Sequence, residues 1–463
     1  MVHSPIRRPA RMALVALLAA AVTALPAPSS ATAGQPGWRN LAAAPAPDAN
    51  PLEGFIPYAG AYTTFPHSME WFYLPVNAVM TGPHRFDWRA LEEQLDAIAA
   101  RGHQAAFRFY LDYPGKPSGV PQFLLDQGLL TRPYDDFGNN GQSVSPDYDD
   151  PNLTAALDRF IAALGRRYDG DPRIGFVQLG LLGFWGEWHT WPHNGDPGTE
   201  NWFASPAEQL RVLDAYDRAF DRTRLMVPLP RRRQQGARPG LPRRLLRLLH
   251  PAGPRLALHG PDAAGGHHRQ VADQHGRRRA AARAAGLPVQ RADGTVPATG
   301  TRTSDTSVAQ THATWLLNHY AFSPGYTGAA YDQALKGARS LGYELRVTAV
   351  RTERRRGSLG VAVRISNDGV APFSYDWPVQ LAAVGRDGRI ARTWTTSWKL
   401  TGVMPGEPAE LTATCRSGCG KGEYTLVLRA ANPLPNGMPL RFANAGQDTT
   451  VPGWLTLGRI RAS

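Results

Sequence analysis

The chain of 463 residues has few cysteines and, after its first 33 residues, no hydrophobic run long enough to cross a membrane. Only Cys415 and Cys419 are present, and in an oxidising compartment they are predicted to close a small disulfide loop. One such bridge cannot hold a chain of this length together, so a hydrophobic core must. The sequence also has neither a phosphate-binding loop nor the glycine fingerprint of a dinucleotide-binding fold. No cofactor is therefore predicted.

The amino-terminal 33 residues have the pattern of an export signal. Three arginines precede the apolar run "ALVALLAAAVTAL", and "SATAGQ" offers a small-x-small cleavage site after Ala33. The apolar run is too short to span a membrane, so we expect a secreted, extracellular protein without a membrane span. A Pro/Ala-rich leader, residues 34–50, follows the signal.

Positive charge is concentrated in one stretch of the chain. The whole protein has 51 Lys and Arg against 38 Asp and Glu, a formal charge of +13. The stretch Arg231 to Arg302 contains 15 arginines and three aspartates, and it has no Lys, Glu, Phe, Tyr, Trp or Ile. It therefore carries twelve of the thirteen excess positive charges, and the rest of the protein is nearly neutral.

Three interpretations of this stretch compete: a polyanion-binding arm, a basic linker, and a segment translated in the wrong frame. Arms that bind nucleic acid usually add lysine, aromatic platforms or a recognisable module, and none is present, so no nucleic-acid partner is predicted. A back-translation with GC-rich codons, shifted by one nucleotide, restores aromatic and acidic residues without a stop codon. We prefer a frame-disrupted segment over residues 228–303, with a genuine basic linker as the alternative.

Elsewhere between residues 51 and 342, short apolar runs alternate with helical patterns, which predicts an α/β fold with parallel strands. Because the nucleotide-binding fingerprints are missing, a (β/α)8-type TIM barrel, disrupted in the arginine-rich segment, is preferred over an open sheet. Beyond residue 343 the period becomes two, which predicts an antiparallel β-sandwich to residue 463 that folds alone. Helices are predicted in "FDWRALEEQLDAIAARG", "PNLTAALDRFIAALGRRY", "SPAEQLRVLDAYDRAF" with Ser205 as N-cap, "TSVAQTHATWLLNHYAF" within residues 304–322, and "AYDQALKGARSLGY".

Charged residues at the predicted strand ends are the candidate site residues, with the carboxylates as catalytic groups and the arginine as a substrate-binding group, because loops after the carboxyl ends of barrel strands form the active face. They are Glu70 in "SMEWFY", Arg108 and Asp112 in "FRFYLDYPG", and Glu187 in "FWGEWHTW". Glycoside hydrolysis requires two carboxyl groups facing one bond. Glu187 is the candidate general acid, with a pKa expected to be raised by desolvation, and Asp112 or Glu70 would assist. Alternatively, Glu70 and Arg108 form a buried ion pair.

Aromatic side chains surround the candidate acid. Trp185, Trp188 and Trp191 suit the apolar faces of sugars, and His189 and His193 suit their hydroxyl groups or the tuning of the acid. The other interpretation is that these aromatics only pack a core. No metal is predicted, because Pro192 spoils the helix that a zinc-binding spacing of the two histidines would need. His67, which follows a proline, is interpreted as an ordinary loop histidine.

Several motifs resemble those of one bacterial family. "NPLEGFIPY", "FPHSMEWFYLP", "FRFYLDYPG", "GLLGFWGEWHTWP", "TSVAQTHATWLLNHY" and "ISNDGVAPFSYDWPV" are similar to the secreted proteins of domain of unknown function family 4832 with its companion amino-terminal domain. The resemblance implies a glycosidase-like barrel joined to a β-sandwich, with Glu187 at the family's acid/base position. In the larger glycosidase group Asn usually precedes that residue, whereas this chain has Gly186. The resemblance also implies acidic and aromatic strands where this chain has Arg231 to Arg302, and these strands would be the place for the second carboxylate.

The sequence as a whole therefore predicts a secreted, glycoside-hydrolase-like protein that acts on or binds oligo- or polysaccharide. If the disrupted segment has removed the second carboxylate, this copy is a pseudoenzyme. The alternative is a non-catalytic carbohydrate-binding or cell-surface protein that uses the same tryptophan cleft. A hydrolase needs two carboxylates about 5 to 10 Å apart across the cleft, whereas a binding protein needs only the aromatic rings.

Overall fold

A computed structural model describes residues 37–195, 197–226, 308–309, 311–355, 357–416 and 421–462. The predicted signal, the arginine-rich segment Arg231 to Arg302 and Cys419 lie outside these residues. Cys415, the other half of the predicted disulfide, is buried. None of the helices in these ranges is both long and apolar enough to span a bilayer.

The described helices and strands are named here in chain order. The helices are α1 (Arg89–Ala100), α2 (Gln122–Asp126), α3 (Pro151–Tyr168), α4 (Pro206–Ala219) and α5 (Gly328–Arg339). The strands before the arginine-rich segment are β1 (Arg39–Asn40), β2 (Gly54–Ile56), β3 (Met69–Pro75), β4 (Met80–Gly82), β5 (Arg85–Phe86), β6 (Gln104–Tyr110), β7 (Thr131–Pro133), β8 (Val144–Pro146), β9 (Ile174–Gln178) and β10 (Arg224–Met226). Those after it are β11 (Trp315–Leu317), β12 (Leu345–Arg355), β13 (Ser358–Asn367), β14 (Val379–Val384), β15 (Ile390–Thr395), β16 (Ala409–Arg416), β17 (Gly422–Ala430) and β18 (Leu455–Ala462).

The first half of the chain is a mixed α/β arrangement built on parallel strands. β3, β6, β9 and β10 form a four-stranded parallel sheet in chain order. β2 pairs in parallel with β11, and a bridge between Tyr58 and Trp71 joins β2 to the edge of the four-stranded sheet. Strands from both ends of the chain therefore lie side by side.

Helices α1, α3 and α4 connect the parallel strands and cover one face of the sheet. Their buried residues join the outward-facing residues of the strands, such as Phe107, in one apolar cluster. The Ser205 hydroxyl accepts a hydrogen bond from Glu208 N at 3.2 Å, which confirms the predicted N-cap of α4. Asp150 caps α3 in the same way, by accepting from the backbone N–H groups of Asn152 and Leu153.

One predicted helix is wrong over most of its described length, because only Val308, Ala309 and Thr311 are helical. Within residues 304–322 the structure has β11 at Trp315–Leu317 and a 3₁₀ turn at His319–Phe322. A short apolar run does not distinguish a helix from a buried strand by its period alone. Here pairing with β2 decides the outcome, because Leu316 lies opposite Phe55 in the parallel register.

The carboxyl-terminal part is antiparallel. One four-stranded sheet has the order β1-β12-β13-β16 and the other has the order β15-β14-β17-β18. Residues of both sheets, among them Val363 and Leu428, share a buried apolar cluster with Trp71, Phe176 and Trp315 from the parallel strands. The sequence predicted most of these strands, but it did not predict β1, β15 or β16.

The Pro/Ala-rich leader belongs to this antiparallel part. β1 pairs with β12, and the backbone N–H of Leu41 donates to Thr348 O at 3.0 Å. The chain continues along the carboxyl-terminal residues, where Ala445 N donates to Ala42 O at 3.0 Å. Residues 37–45 thus add an edge strand to a sheet formed by residues far along the chain.

Candidate functional site

Glu187 lies in a tightly constrained loop after β9. Leu181, Trp185 and Trp188 all have left-handed backbones, with φ of 72°, 55° and 57°. Such angles are strained for large side chains and persist only where the surrounding structure fixes them. Trp185 N donates to Asp112 O at 2.8 Å, which ties the loop to the end of β6.

Gly186 precedes Glu187 at a point where the backbone is left-handed and closely packed. Its φ is +67°, and a Cβ there would lie 3.0 Å from Phe109 O and 3.2 Å from Leu181 N. Glycine adopts this backbone conformation without strain and leaves room for the two backbones to approach each other. A glycine at this position is therefore matched to the local geometry of the loop.

Arg108 is the direct partner of Glu187. Its side chain is 1% exposed, and Nη2 lies 2.5 Å from Glu187 Oε1. Nη1 donates to Gln178 Oε1 at 2.8 Å, Nη2 also donates to Tyr73 OH at 3.1 Å, and the guanidinium lies 4.6 Å from the centre of the Tyr73 ring. Neighbouring parallel strands thus supply the groups that hold the carboxylate of Glu187, whose side chain is 9% exposed.

The ion pair that the sequence suggested between Glu70 and Arg108 is replaced by two other pairs. In the register of β3 and β6, Glu70 lies opposite Ala105 and Tyr73 lies opposite Arg108. Residues an odd number apart on a strand point to opposite faces, so Glu70 and Arg108 face away from each other. The structure places Glu70 on the helix-covered face and Arg108 on the face that carries Tyr73.

Glu70 belongs to a separate buried polar cluster. Arg101 holds it through two hydrogen bonds of 2.7 and 2.6 Å, His103 Nδ1 lies 2.8 Å from Oε1, and Gly60 N donates to Oε2 at 2.8 Å. Burial alone would raise the pKa of Glu70, but the hydrogen bonds from His103 and Arg101 hold it below its ordinary value. His67 lies beside His103 in the same cluster, with their ring centres 4.3 Å apart.

Asp112 is close to Glu187 along the backbone, but its carboxyl group is directed elsewhere. Its side chain is buried and accepts hydrogen bonds on Oδ1 from Tyr134 OH at 2.5 Å and from Ser143 Oγ at 2.7 Å. Both donors come from the segment around the β7–β8 hairpin. Burial raises the pKa of Asp112 to about 7. These contacts brace the hairpin, so the structure does not direct this predicted helper at Glu187.

Two of the three predicted tryptophans form an aromatic cluster near Glu187. Phe137 joins them, with its ring centre 4.9 Å from that of Trp185 and 5.8 Å from that of Trp191. Trp191 is 38% exposed, so a ligand can reach it. Trp188 instead packs against the core, and its Nε1 donates to Leu179 O at 2.9 Å.

The two histidines have different positions. His189 Nε2 lies 3.7 Å from Glu187 Oε2, and its Nδ1 accepts from Trp191 N at 3.3 Å, so the proton is on the nitrogen that faces the carboxylate. His193 Nε2 lies 2.6 Å from Asp136 Oδ2, and its ring stacks on Trp202 at 3.5 Å. His189 is therefore available to the site, whereas His193 holds the loop that carries Asp136.

Sequence reasoning missed Tyr73, Gln178, Phe137 and Tyr113. Tyr73 and Gln178 lie on the strands next to Arg108 and face it. Side chains alternate between the two faces of a strand, so both residues could have been identified once these strands were placed beside the strand of Arg108. Tyr113 follows the same strand as Arg108, and its ring centre lies 6.4 Å from that of Trp185. Phe137 lies in a connecting turn with φ 57°, and no periodic signal marks it.

No family model and no curated protein matches this chain. Solved structures that are similar to parts of it include glycoside hydrolases. GH5_18 from Bifidobacterium longum subsp. longum has 11% identity and a TM-score of 0.24, over 34% of this chain and 34% of that one. A glucosidase from Croceicoccus marinus has 9% identity and a TM-score of 0.25, over 82% of this chain and 96% of that one.

A third similar structure is beta-glucosidase 3B from Thermotoga neapolitana in complex with alpha-D-glucose, with 15% identity and a TM-score of 0.14, over 26% of this chain and 17% of that one. The match thus spans about a third of the length of GH5_18 and less of the beta-glucosidase. At such scores the likeness is partial, and the chemistry of the site has to be argued from its own geometry.

Proposed function

We propose that the face around Glu187 is a carbohydrate-binding cleft of the glycoside-hydrolase type in an exported protein. One observation carries the proposal: a carboxylate lies between a buried guanidinium and a cluster of aromatic rings, one of which, Trp191, is accessible. Sugars present hydroxyl groups to charged side chains and CH faces to aromatic rings. A site with both kinds of group, next to each other at strand ends, fits such a ligand.

The strand order supports a barrel of the (β/α)8 type. Four parallel strands follow chain order, β2 lies beside the first of them, and β11 returns beside β2, as the last strand of a closing barrel does. Glu187 follows β9, which is the fourth strand of such a barrel when β2 is counted as the first. This is the position that the resemblance to family 4832 assigns to the acid/base residue.

The contact with Arg108 bears on what Glu187 can do. A guanidinium at 2.5 Å favours the ionised carboxylate. A general acid must carry a proton, so Glu187 as it is held here is better suited to orient a sugar hydroxyl, or to act as a base or nucleophile, than to donate a proton. The proposed role differs from that of a general acid, which was predicted for Glu187 from desolvation alone.

Hydrolysis also requires a second carboxyl group about 5 to 10 Å from the first. Glu70 lies on the other face of the sheet, and Asp112 is held by Tyr134 and Ser143. A second carboxylate would have to come from other residues, and the resemblance places it where this chain has Arg231 to Arg302. We therefore propose binding without hydrolysis for the chain as it stands.

The binding proposal is tested with Trp191→Ala. Loss of an accessible aromatic platform should weaken polysaccharide binding by about tenfold, the equivalent of roughly 1.4 kcal/mol. Affinity electrophoresis against a panel of soluble polysaccharides measures the change. Trp394→Ala, a half-buried tryptophan on β15, is the matched control and should bind as the unaltered protein does. Equal retention of both variants on every polysaccharide would contradict the proposal.

The proposed loss of hydrolysis is tested with a gene corrected across codons 228–305. The corrected protein should cleave aryl glycosides or polysaccharides, and Glu187→Gln in it should lower the rate by at least about a hundredfold while sugar binding persists. The uncorrected chain should bind without cleaving. Cleavage by the uncorrected chain would reject the pseudoenzyme, and full activity of the corrected Glu187→Gln protein would reject Glu187 as a catalytic group.

A further inference from the structure

We propose that His67 and His103, with Glu70 beside them, form a zinc site on the helix-covered face of the parallel sheet. The three side chains are buried. Each offers one ligand atom, and these atoms all lie within 4.8 Å of one another. Glu70 points away from the face that carries Arg108, so the proposed site is separate from the carbohydrate cleft and does not depend on it.

The two imidazole rings are held in place by hydrogen bonds through their Nδ1 atoms. His67 Nδ1 lies 3.0 Å from the carbonyl oxygen of Phe65, and His103 Nδ1 lies 2.8 Å from Glu70 Oε1. Both oxygens can only accept here, because one is a carbonyl and the other belongs to a carboxylate paired with Arg101. Each Nδ1 therefore carries the proton in the protein without metal. The Nε2 of His67 keeps a lone pair for a metal ion, whereas His103 would bind the ion through Nδ1, beside Glu70 Oε1, once its proton has moved to Nε2.

A buried atom in the cluster points to a ligand. His67 Nε2 is shielded from solvent and has no hydrogen-bond partner among the residues that the structure describes. An acceptor left in this state costs free energy, and coordination of a cation would use its lone pair.

The donor set favours zinc over magnesium or calcium. Imidazole nitrogens suit Zn²⁺, whereas Mg²⁺ and Ca²⁺ prefer shells made of oxygen atoms. Zinc would complete its coordination with an oxygen of Glu70, which the two hydrogen bonds from Arg101 now occupy. The Arg101 side chain is 29% exposed and can turn towards solvent. Arg101 therefore competes with the metal and limits its affinity.

This competition supplies the test. Arg101→Met removes a positive charge next to the metal and frees Glu70, so it should tighten zinc binding by about tenfold or more. His67→Gln with His103→Gln should lose one bound zinc per chain. Zinc per chain after equilibrium dialysis and the zinc-dependent shift of the melting temperature measure both effects. His84→Gln, at an exposed position, is the control and should bind as the unaltered protein does.

The double histidine variant also distinguishes zinc bound at this site from zinc bound by other histidines. The stretch Arg231 to Arg302 contains five, which can bind zinc in any variant. Equal zinc uptake by the unaltered protein and the double variant would overturn the proposal. If the double variant does not fold, the Arg101→Met variant provides the test. Tighter zinc binding by this variant supports the site. Unchanged or weaker binding means that the cluster is a structural ion network, and it overturns the zinc proposal.

Discussion

At the residue scale, Asp112 shows that a carboxyl group predicted to be catalytic can be held elsewhere by buried contacts. Its position at the end of β6 was predicted from the sequence, and its carboxyl group was expected to assist catalysis. The structure directs that group to Tyr134 and Ser143 instead, in a buried environment that raises its pKa to about 7. The direction of a side chain beyond the end of a strand depends on the loops that pack there. Strand alternation could not supply it.

This raised pKa predicts a pH dependence of stability. A carboxyl group that holds its proton more tightly in the folded than in the unfolded protein stabilises the fold at low pH and loses that effect as the pH rises from about 4 to about 7. Asp112→Asn keeps the shape without the charge. It should therefore raise the free energy of unfolding at pH 8, by up to about 4 kcal/mol, and change it little at pH 4.

Urea unfolding of both proteins at the two pH values measures the effect. The difference between the two proteins isolates this one carboxyl from the other titrating groups. Asp332→Asn, at an exposed position on α5, is the matched control and should give no pH-dependent difference. A difference between the Asp112→Asn and unaltered proteins that is the same at pH 4 and pH 8 would rule out a buried, proton-holding Asp112.

Glu187 and Arg108 could both be named as candidate site residues from the sequence, because Arg108 lies near the end of an apolar strand and Glu187 lies in the loop after another. Their pairing could not be predicted. The sequence offered Glu70 as the partner of Arg108, and only the register of β3 and β6 shows that these residues face opposite ways. One residue of register reverses the face of every side chain on a strand, and the sequence pattern alone does not fix the register between neighbours.

At the element scale, helices with strong apolar periodicity were predicted well. The pattern of α3 matches the predicted segment, and the N-cap of α4 is the predicted Ser205. β11 was predicted as a helix because its apolar run is short and its partner lies at the other end of the domain. β1 was not predicted, since two residues in a Pro/Ala-rich leader carry no periodicity. Strands that form by pairing with residues far along the chain cannot be predicted from the local hydrophobic pattern.

The edge strand β1 gives the prediction at this scale. Trp38, which precedes it, lies against two arginines of the antiparallel sheet, with Arg351 at 4.9 Å and Arg364 at 4.2 Å from its ring centre. Trp38→Ala should lower the free energy of unfolding by about 1 to 2 kcal/mol. Thermal and urea melts measure the loss. Tyr320→Ala, a ring that is 56% exposed, should cost less than about 0.5 kcal/mol.

The same strand changes what is expected of a carboxyl-terminal fragment. A fragment that starts near residue 340 was predicted to fold alone as a sandwich. It would lack β1, and the edge of β12 would be uncovered. A fragment supplied with a peptide of residues 37–50 should melt at a higher temperature than the fragment alone. If the peptide has no effect, the contacts of β1 contribute nothing to the stability of that sheet.

At the scale of the whole molecule, the described parts on either side of the arginine-rich segment are interlocked. β11 pairs with β2, and β1 pairs with β12, so each part contributes a strand to a sheet of the other. They also share one buried apolar cluster. The sequence predicted two domains in succession, because the period of the hydrophobic pattern changes to two near residue 343. It could not show that the leader crosses that boundary.

This interlocking predicts that the molecule survives a break in its chain. A site for a specific protease, inserted between residues 260 and 261, should yield two fragments that co-elute in size-exclusion chromatography and separate only in denaturant. The same site inserted in the turn between β14 and β15, next to Gly388, is the control for cutting inside a sheet and should lower the melting temperature. Separate elution of the first pair of fragments would show that the shared strands do not hold the molecule together.

The pairing of β1 with β12 also bears on when the protein can fold. During synthesis the amino-terminal strands emerge about 300 residues before their partners, since Arg39 lies opposite Val350. Contacts between segments so distant in sequence make folding slow and leave apolar strands exposed in the meantime. The two sheets that depend on these strands can be completed only after release of nearly the whole chain.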